Sequence, residues 1–448
     1  MGSGQRITRR KALRLAAATG ALPLVHIRTC HAAGRLSVGF WDHWVPQGNE
    51  VMAKQIAAWA EKNKVEVDFD RITSSGNKLL VTIAAEDQAR TGHDVLSLPT
   101  WEVQNHHAKL EPIDDVVGRL EAKYGALDPF YQYLGKVDGH WMAVPASSGS
   151  QYKGPCARLD LFREHCGIDL PAMYPARAEH TALSDSWTFE TFLKAAAASK
   201  KIGKPFGIGL GTTADSVDTS GSIFASFGAQ FVDAKGAITI KSDATRAALE
   251  YMKRLVPELP QDVYSFDDAI DNRMLIGDQT TLIYNPPSAW AVALRDAPKV
   301  AAQCWSFPTP AGPAGRFIPM NIFQFGVWSF SRNKTAAKAL IEYLMQREQV
   351  QQRCNVVYGF DIPPFDSMLD FDIWEKAGPP PGTLYNYPLR PFHKANRWIT
   401  GLPAPPQIAV QIYNQALTCN LIAKVTQGGL SIDKAIAWAE NELEGYIG

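Results

Sequence analysis

A regular alternation of strand and helix patterns near the start of the chain constrains its fold most strongly. Apolar residues alternate along 36–40, follow a helical spacing along 49–62, alternate again along 65–72, and then give a helix over 77–90 and a short strand over 94–99. This β-α-β-α-β order predicts a mainly parallel sheet that is flanked by helices and joined by right-handed crossovers. The fold class that we expect is therefore α/β.

Two of these predicted strands end in aromatic and polar side chains. The residues that follow the first and third strands include Trp41, Asp42, His43, Trp44, Trp101 and Glu102. In parallel sheets the carboxyl ends of the strands share one side, and ligands of open α/β proteins bind outside those ends. We therefore predict that these residues line a ligand-binding cleft. The alternative is aromatic packing at the edge of a core, because tryptophan is largely buried whatever its role.

The N-terminal 34 residues resemble an export signal rather than part of the fold. Arg9 and Arg10 lie in a basic stretch, a short apolar run follows over 15–25, and small residues suited to cleavage surround Cys30. No stretch of the chain reaches the roughly 20 apolar residues that a membrane-spanning helix needs. We expect a soluble periplasmic protein. The twin-arginine and the general secretory routes both stay open, because Ala12 stands where the twin-arginine pattern prefers a bulky apolar residue. A lipid-modified Cys30 is a further alternative that the preceding residues fit poorly.

Length and charge limit the classes of function that this chain suits. At 448 residues and 46% hydrophobic, it exceeds the size at which single cores divide, so we expect two lobes. Lysine plus arginine and aspartate plus glutamate number 45 each, so no net field attracts nucleic acid or an anionic membrane. We therefore predict no nucleic-acid partner, and the ligand need not be strongly ionic.

The cysteines beyond the export signal show no metal-binding pattern, because none has the spacing of a zinc site. Neither a metal ion nor a cofactor is therefore predicted. Cys156 and Cys166 are close enough in sequence to close a small disulfide loop, which an exported protein permits. Buried thiols that pack as small apolar groups are the alternative.

The chain carries no recognisable catalytic motif, since it has no nucleophile elbow, no H-E-x-x-H and no P-loop. The closely spaced glycines of 206–211 lack a Walker lysine, so a buried strand explains them better than a phosphate site. Asp42 and Glu102 as the acid and base of a glycoside hydrolase are an alternative. The aromatic and polar residues instead favour a non-enzymatic protein that binds a neutral polyhydroxylated ligand. The ring faces of such a ligand stack on indoles, and polar side chains reach its hydroxyls.

Several motifs follow one another in an order typical of one protein family. They are DGHWMAVP at 138–145, SWTFETFLKAA from Ser186, NPPSAW at 285–290, FPTPAGPAG from Phe307 and GGLSIDKAIAWAENEL from Gly428. Through them the chain resembles the extracellular solute-binding proteins of ABC importers, specifically the carbohydrate-binding family that includes maltose-binding protein. The resemblance covers essentially all of the chain beyond the export signal.

The resemblance implies two α/β lobes that hold a ligand between them and close about a hinge. After a signal peptide over 1–34, it assigns 35–147 and 323–356 to an N-terminal lobe, and 148–322 and 357–448 to a C-terminal lobe. It further implies a monomer that captures a sugar and delivers it to the membrane permease of an ABC importer. Relatives that bind polyamines or phosphoesters leave a non-sugar ligand as an alternative.

The resemblance also adds site residues from later segments. They are Tyr152 past the first crossing between lobes, Asn285 and Trp290 around a strand end, Asn321 and Gln324 on the return crossing, and Tyr358 and Gly359 in a late segment. We expect Tyr152 and Trp290 to face Trp41 and Trp101 across the cleft.

Overall fold

The computed structural model describes residues 25–27, 34–174, 181–285, 288–376 and 394–447. The twin arginine and most of the predicted export signal lie outside these residues, as do Pro286 and Pro287 of the NPPSAW motif. The export signal therefore stays a prediction. Within the described part, no helix is both long and apolar enough to cross a membrane.

Short strands and many helices alternate along the described chain. The strands are β1 (Val25–Ile27), β2 (Arg35–Trp41), β3 (Glu66–Ile72), β4 (Val95–Pro99), β5 (Lys136–Val137), β6 (His140–Trp141), β7 (Ala143–Pro145), β8 (Gln151–Tyr152), β9 (Pro155–Arg158), β10 (Leu282–Tyr284), β11 (Cys304–Ser306), β12 (Arg316–Asn321), β13 (Phe323–Val327) and β14 (Ala395–Trp398). The helices are α1 (Pro46–Asn63), α2 (Lys78–Ala89), α3 (Glu102–His106), α4 (Asp114–Tyr124), α5 (Pro129–Gly135), α6 (Leu159–Leu161), α7 (Leu170–Met173), α8 (Ala182–Asp185), α9 (Phe189–Lys201), α10 (Ala214–Ser226), α11 (Asp243–Leu255), α12 (Ile270–Ile276), α13 (Ser288–Asp296), α14 (Pro298–Ala301), α15 (Lys334–Leu344), α16 (Arg347–Val356), α17 (Ile373–Lys376), α18 (Pro406–Asn414), α19 (Leu417–Thr426) and α20 (Ile432–Ile447).

The largest sheet has six strands in the order β1-β3-β2-β4-β13-β7. Strand β2 runs parallel to β3 and β4, with Val38 opposite both Phe69 and Val95, as the alternation of strands and helices predicts. Strand β13 lies antiparallel between β4 and β7, and β1 is antiparallel to β3. A smaller sheet, β10-β9-β11, is antiparallel throughout. The α/β prediction is confirmed, but the sheets are mixed rather than mainly parallel, because β13 does not arrive through a β-α-β crossover.

The sheets and their helices form two lobes. We refer to the six-stranded sheet with its helices as the first lobe, and to β10-β9-β11 with its helices as the second lobe. A third sheet, β14-β12-β8, lies between them, and β12 continues through Ile322 directly into β13 of the first lobe. Strand β7 of the first lobe likewise leads through 146–150 into β8.

Helix α1 follows the loop that ends β2 and holds that loop in place. It begins with Pro46 in its first turn, where the missing N–H has no helical partner to lose. It ends at Asn63, and the next residue, Lys64, has a φ of 55°. Met52, Ile56 and Trp59 form its buried face at the spacing that the sequence predicts.

Helix α10 of the second lobe is buried along almost its whole length. Thr213 caps its first turn with its side chain, and every residue over 216–226 is buried. Gly221 is required by this packing, because a Cβ there would lie 1.9 Å from Thr400 Oγ1. The tight packing fixes Asp215, which lies in the first turn of the helix, relative to the rest of the lobe.

The segment 362–376 packs on helices of the first lobe. The rings of Phe365 and Tyr124 have centroids 5.5 Å apart, and Ser367 Oγ donates to the Tyr124 carbonyl oxygen at 2.7 Å. The family resemblance assigns 357–448 to the second lobe, whereas these contacts place this part beside the first. The other lobe boundaries stay predictions.

All five cysteines of the described residues are free, and four of them are buried. Cys166 Sγ donates to the Ala195 carbonyl oxygen at 3.7 Å. The disulfide between Cys156 and Cys166 is therefore not formed in this structure.

Candidate functional site

A cleft of about 480 Å³ opens at the carboxyl ends of β2 and β4. On the first lobe it is lined by Trp41, Trp44, Ser74, Asn77, Leu79, Leu80, Pro99, Thr100, Trp101, Glu102 and Phe323. From the crossing strands and the second lobe come Gln151, Lys153, Thr212, Thr213, Ala214, Asp215, Val217, Asp268, Asn272, Asn285, Ser288, Asn321, Tyr413 and Asn414. The cleft therefore lies between the lobes, where ligands of two-lobed binding folds are enclosed.

Tryptophans form the apolar part of the first wall. Trp41 is the last residue of β2, and its Nε1 donates to Ser74 Oγ at 3.3 Å. Its ring packs at a tilt against Phe323, with centroids 5.0 Å apart, and meets Trp44 edge-on at 6.4 Å. Because Trp44 is 36% exposed, it offers a large apolar face at the cleft.

Trp101 closes one end of the cleft. It follows β4 and Thr100, whose φ of 39° turns the chain sharply into α3. Its ring lies 5.7 Å from Tyr133 and 6.2 Å from Tyr413 of the second lobe, measured between centroids. Trp101 is only 1% exposed, yet its Nε1 finds no hydrogen-bond acceptor among the described residues. A buried donor without a partner favours a polar ligand at this position.

Glu102 lies beside Trp101 and is held by its neighbours. Its Oε1 accepts from Asn105 Nδ2 at 2.8 Å, and its Oε2 lies 3.2 Å from His106 Nε2. His106 also contacts Asp87 through Nδ1 at 2.7 Å. Although burial lowers the pKa of His106, the hydrogen bonds to Glu102 and Asp87 raise it above its usual value.

The second wall is polar and charged. Lys153 Nζ lies 2.6 Å from both Asp215 Oδ1 and Asp218 Oδ2, although its side chain is only 1% exposed. Burial disfavours the ammonium, but the two carboxylates outweigh it and hold the pKa of Lys153 well above its usual value. Lys153 is therefore a buried ammonium whose charge is already matched within the wall.

Two further carboxyl groups follow this ion pair along the wall. Asp268 as a whole is exposed. Protein atoms nevertheless shield its carboxyl group from water, and this desolvation together with the charge of Asp215 raises its pKa to about 6. Asp271 is 7% exposed, and burial with the same charge raises its pKa well above the usual value. Ionisation of these two carboxyl groups therefore costs more free energy than it does in water.

Amide groups complete the second wall. Asn285 Nδ2 donates to Asn272 Oδ1 at 3.1 Å, and Asn272 Nδ2 reaches Ser288 Oγ at 3.5 Å. Thr100 Oγ1 donates to Asn321 Oδ1 at 2.5 Å, which links the first lobe to the crossing strand. Gln151 is 7% exposed, and its Oε1 accepts no hydrogen bond from the described residues.

The structure brings together part of the set of residues predicted from the sequence. The predicted residues that line the cleft are Trp41, Trp44, Trp101, Glu102, Asn285 and Asn321. The predicted residues that it places away from the lining are Asp42, His43, Tyr152, Trp290, Gln324, Tyr358 and Gly359. Local packing explains each of these positions.

Asp42 and His43 hold the loop after β2 instead of facing the cleft. Asp42 Oδ1 accepts from Asn49 Nδ2 at 2.8 Å. His43 Nδ1 accepts the Val45 N–H at 2.9 Å, so its Nε2 donates to Asp361 Oδ1 at 3.1 Å. Asp361 Oδ1 also accepts the Gly149 N–H at 2.9 Å, which ties this loop to the crossing. Because Asp42 does not line the cleft, an acid and base pair with Glu102 finds no support.

Tyr152 points away from the cleft because side chains alternate along a strand. Its neighbours Gln151 and Lys153 line the cleft, whereas Tyr152 is 1% exposed and its hydroxyl accepts from Arg397 Nε at 3.1 Å. Gln324 is likewise fully buried, with Nε2 donating to the Thr100 carbonyl oxygen at 3.4 Å.

Trp290 and the late segment lie beside the cleft rather than in it. Trp290 is 3% exposed and meets the ring of Tyr358 edge-on, with centroids 6.2 Å apart. Gly359 adopts a φ of 70°, and its carbonyl oxygen accepts from Trp374 Nε1 at 2.8 Å. The expected opposition of Trp290 and Tyr152 to Trp41 is therefore absent.

Sequence reasoning missed most of the charged wall. Thr212 to Asp215 follow the glycine-rich stretch 206–211, for which the sequence predicts a strand, so the strand-end argument applies there too. The structure forms only an isolated bridge in this stretch, between Gly207 and Ile283. The alternation of side chains around Tyr152 could have identified Lys153 as a residue of the cleft. Nothing in the local sequence singles out Asp268 or Tyr413, because tertiary packing alone brings them to the cleft.

The cleft offers binding groups and no metal centre. Across the described residues, no group of three or more His, Cys, Asp or Glu side chains is arranged to hold a metal ion. Indole faces on one wall and hydrogen-bonding groups on the other suit a polar ring-containing ligand.

Comparison with solved structures shows which proteins share this fold. Maltose-bound MalE3 of T. maritima is 19% identical, covers 92% of this chain and 99% of its own, and has a TM-score of 0.71. An ABC transporter solute-binding protein of Thermotoga lettingae with bound α-D-tagatose is 15% identical, with coverages of 93% and 100% and a TM-score of 0.74. One from Agrobacterium vitis with bound D-mannitol is 16% identical, with coverages of 92% and 98% and a TM-score of 0.67. We found no curated protein whose sequence matches this chain.

The family follows from a sequence match as well as from the fold. Residues 54–379 match the model of a family described as bacterial extracellular solute-binding protein. The resemblance drawn from the sequence motifs is thereby confirmed. Because the match spans most of the chain and the two-lobed fold with its cleft agrees with it, this chain belongs to the bacterial extracellular solute-binding proteins.

Proposed function

We propose that this protein is the receptor of an ABC importer, which captures a sugar in the interlobe cleft and passes it to a membrane permease. The observation that carries the proposal is the pairing of indole faces on the first lobe with amide and carboxylate groups facing them. An indole stacks on the apolar face of a sugar ring, and amides and carboxylates hydrogen-bond to its hydroxyl groups.

The size of the cleft supports a small saccharide. Its volume of about 480 Å³ lies within the range of roughly 300 to 1,000 Å³ that is usual for small-molecule sites. Three of the solved structures with a similar fold carry maltose, tagatose or mannitol, which supports a ligand of this chemical class.

Groups from both lobes support closure about a hinge. A ligand that contacts Trp44 of the first lobe and Asn285 of the second binds the closed state more tightly than the open state. In our proposal the lobes comprise 35–147 with 323–356, and 148–322 with 357–448, apart from 362–376. The closed receptor acts as a monomer without chemistry, in the periplasm, after export by the twin-arginine or general secretory route.

The first experiment is native mass spectrometry of the purified protein. A co-purified ligand is identified by its mass, so the experiment needs no guess about the compound. A panel of neutral and charged saccharides is then titrated while tryptophan fluorescence and melting temperature are followed. A bound sugar raises the melting temperature by mass action on the folded state.

The proposal predicts a saturable response to at least one sugar and no turnover of that sugar by chromatography. Turnover would favour an enzyme. A co-purified solute without sugar character, together with no response to the panel, would overturn the sugar assignment.

A further inference from the structure

We propose that the sugar bound in this cleft carries a protonated amine. The inference rests on the proposed function, because it assigns a chemical class to the ligand of the same cleft. The observations that carry it are the excess of carboxylates in the wall, the internal pairing of Lys153, and a buried acceptor that has no partner.

The charges of the lining are unbalanced. Of the residues that line the cleft, Glu102, Asp215 and Asp268 are acidic, and Lys153 is basic. Lys153 Nζ is already shared between Asp215 and Asp218 at 2.6 Å each. Lys153 lowers the pKa of Asp268 through its charge, but its close contacts are with Asp215 and Asp218. A positive group on the ligand would pair directly with Asp268.

The described residues around Asp268 supply no cation that lacks a carboxylate partner of its own. The charged and titratable groups that face it are Asp215 and Asp218 of α10, Lys153 after β8, Asp267 beside it, Asp271 and Arg273 of α12, and Tyr413 of α18. Arg273 Nη2 donates to Asp267 Oδ1 at 3.2 Å on the exposed side of this segment. Each cation near Asp268 is thus paired with another carboxylate.

A second, independent observation points to a hydrogen-bond donor on the ligand. Gln151 lines the cleft and is 7% exposed, yet its Oε1 accepts no hydrogen bond from the described residues. A buried acceptor of this kind costs free energy unless a ligand or water donates to it. An ammonium group has three donors and no acceptor, so it suits Gln151 and the carboxylates together.

Other charged ligands fit less well. The carboxylates repel a phosphoester. The described residues hold no cluster that is arranged for a metal ion. A neutral sugar can donate hydroxyl groups to the carboxylates, but it leaves their excess negative charge unmatched.

Protonation of the wall gives the proposal a second consequence. The pKa of Asp268 is about 6 in the ligand-free protein, and that of Asp271 is also raised. An ammonium stabilises the ionised carboxylates and lowers these pKa values, so binding near pH 6 releases protons. Affinity for the amine-bearing sugar should therefore fall as the pH falls below about 6.

The test uses saccharides of one size and different charge. The β-1,4-linked disaccharide of glucosamine, its N-acetylated form and cellobiose are titrated by calorimetry at about pH 6.5, with spermidine as an amine that lacks a sugar ring. We expect the glucosamine disaccharide to bind at least about tenfold more tightly than both neutral disaccharides. Calorimetry in buffers of different ionisation enthalpy should also detect proton release.

Equal or tighter binding of cellobiose or the N-acetylated form would overturn the amine and leave the sugar receptor standing. Binding of spermidine alone would overturn the amine-bearing sugar in favour of a polyamine. No binding of any probe, with no sugar co-purified, would contradict the proposed function itself.

A matched pair of variants tests whether Asp268 is responsible for the preference for an amine-bearing sugar. Asp268→Asn should weaken the glucosamine disaccharide about tenfold and leave any cellobiose binding within about twofold. Asp267→Asn alters the adjacent carboxylate, which is 63% exposed and paired with Arg273 outside the cleft. This variant should change neither the affinity for the glucosamine disaccharide nor that for cellobiose. An equal effect of Asp268→Asn on charged and neutral sugars would contradict the proposal.

Discussion

Trp101 and Tyr413 meet at one end of the cleft, with ring centroids 6.2 Å apart, although they belong to different lobes. Trp101 follows β4 of the first lobe, and Tyr413 lies in α18 of the second. Beside them Asn414 Nδ2 donates to Asn105 Oδ1 at 3.4 Å. These contacts join the lobes directly, next to the space that a ligand would fill.

Tyr413→Ala should weaken binding of the co-purified ligand by about three- to tenfold, because an aromatic pair contributes about 0.5 to 1.5 kcal/mol beyond its buried area. Isothermal calorimetry measures the affinity. Tyr446→Ala, near the C-terminal end of α20, is the control and should leave it unchanged. Unchanged affinity in Tyr413→Ala would show that the contact does not assist closure.

Trp44→Ala should weaken sugar binding by about tenfold or more with little change in melting temperature, because Trp44 is 36% exposed and contributes a stacking face rather than core packing. The fluorescence change on binding should shrink as well. Trp438→Ala is the matched control. Trp438 lies on α20, and Lys424 Nζ lies over its ring, 4.1 Å from the ring centroid. An equal loss of affinity in both variants would argue against stacking on Trp44.

His43→Ala should lower the free energy of unfolding by about 1 to 3 kcal/mol, because it leaves the buried Asp361 carboxylate without its side-chain donor. Asp361 Oδ2 has no partner among the described residues, so the carboxylate has little to replace the loss. Urea unfolding measures the change, with the exposed His107→Ala as control. Because His43 does not line the cleft, ligand affinity should change far less than in Trp44→Ala.

Asp267→Asn and Asp268→Asn should shift stability in opposite directions at pH 7.5. The folded-state pKa of Asp268, about 6, lies above its ordinary 3.8, so the stability it contributes is present in acid and is lost as the pH rises through 6. Asp268→Asn removes that penalty and should raise the melting temperature at pH 7.5.

The contribution of Asp267 to stability changes with pH in the opposite direction. Burial raises its pKa, but hydrogen bonds from the Ala269 N–H and Arg273 together outweigh burial and lower the pKa overall, so its contribution to stability is present above about pH 4. Asp267→Asn should lower the melting temperature at pH 7.5, and both differences should shrink when the scan is repeated at pH 4. The same sign for both variants would contradict these assignments.

Local sequence patterns predicted the first wall of the cleft because that wall depends on strand ends. Trp41 ends β2, Trp44 follows β2 and Trp101 follows β4, and the parallel arrangement of these strands brings the three indoles to the same side. The same argument failed at Trp290, because Asn285 and Ser288 line the cleft there, whereas the indole packs edge-on against Tyr358.

The charged wall could not be predicted in the same way. Asp215 and Asp268 lie more than fifty residues apart in sequence, and they meet only because α10 packs beside the loop before α12. Local sequence patterns could not predict the antiparallel pairing of β13 either, because the chain returns to this sheet from the second lobe rather than through a local crossover.

Strand β13 has a consequence for how the molecule is made. It lies between β4 and β7, yet it comes more than two hundred residues after β4 in the chain. Until it arrives, β4 and β7 each present an unpaired edge that can pair with other chains. The contact order of this lobe is therefore high, and its folding should be slow and vulnerable to aggregation until residues 323–327 are available.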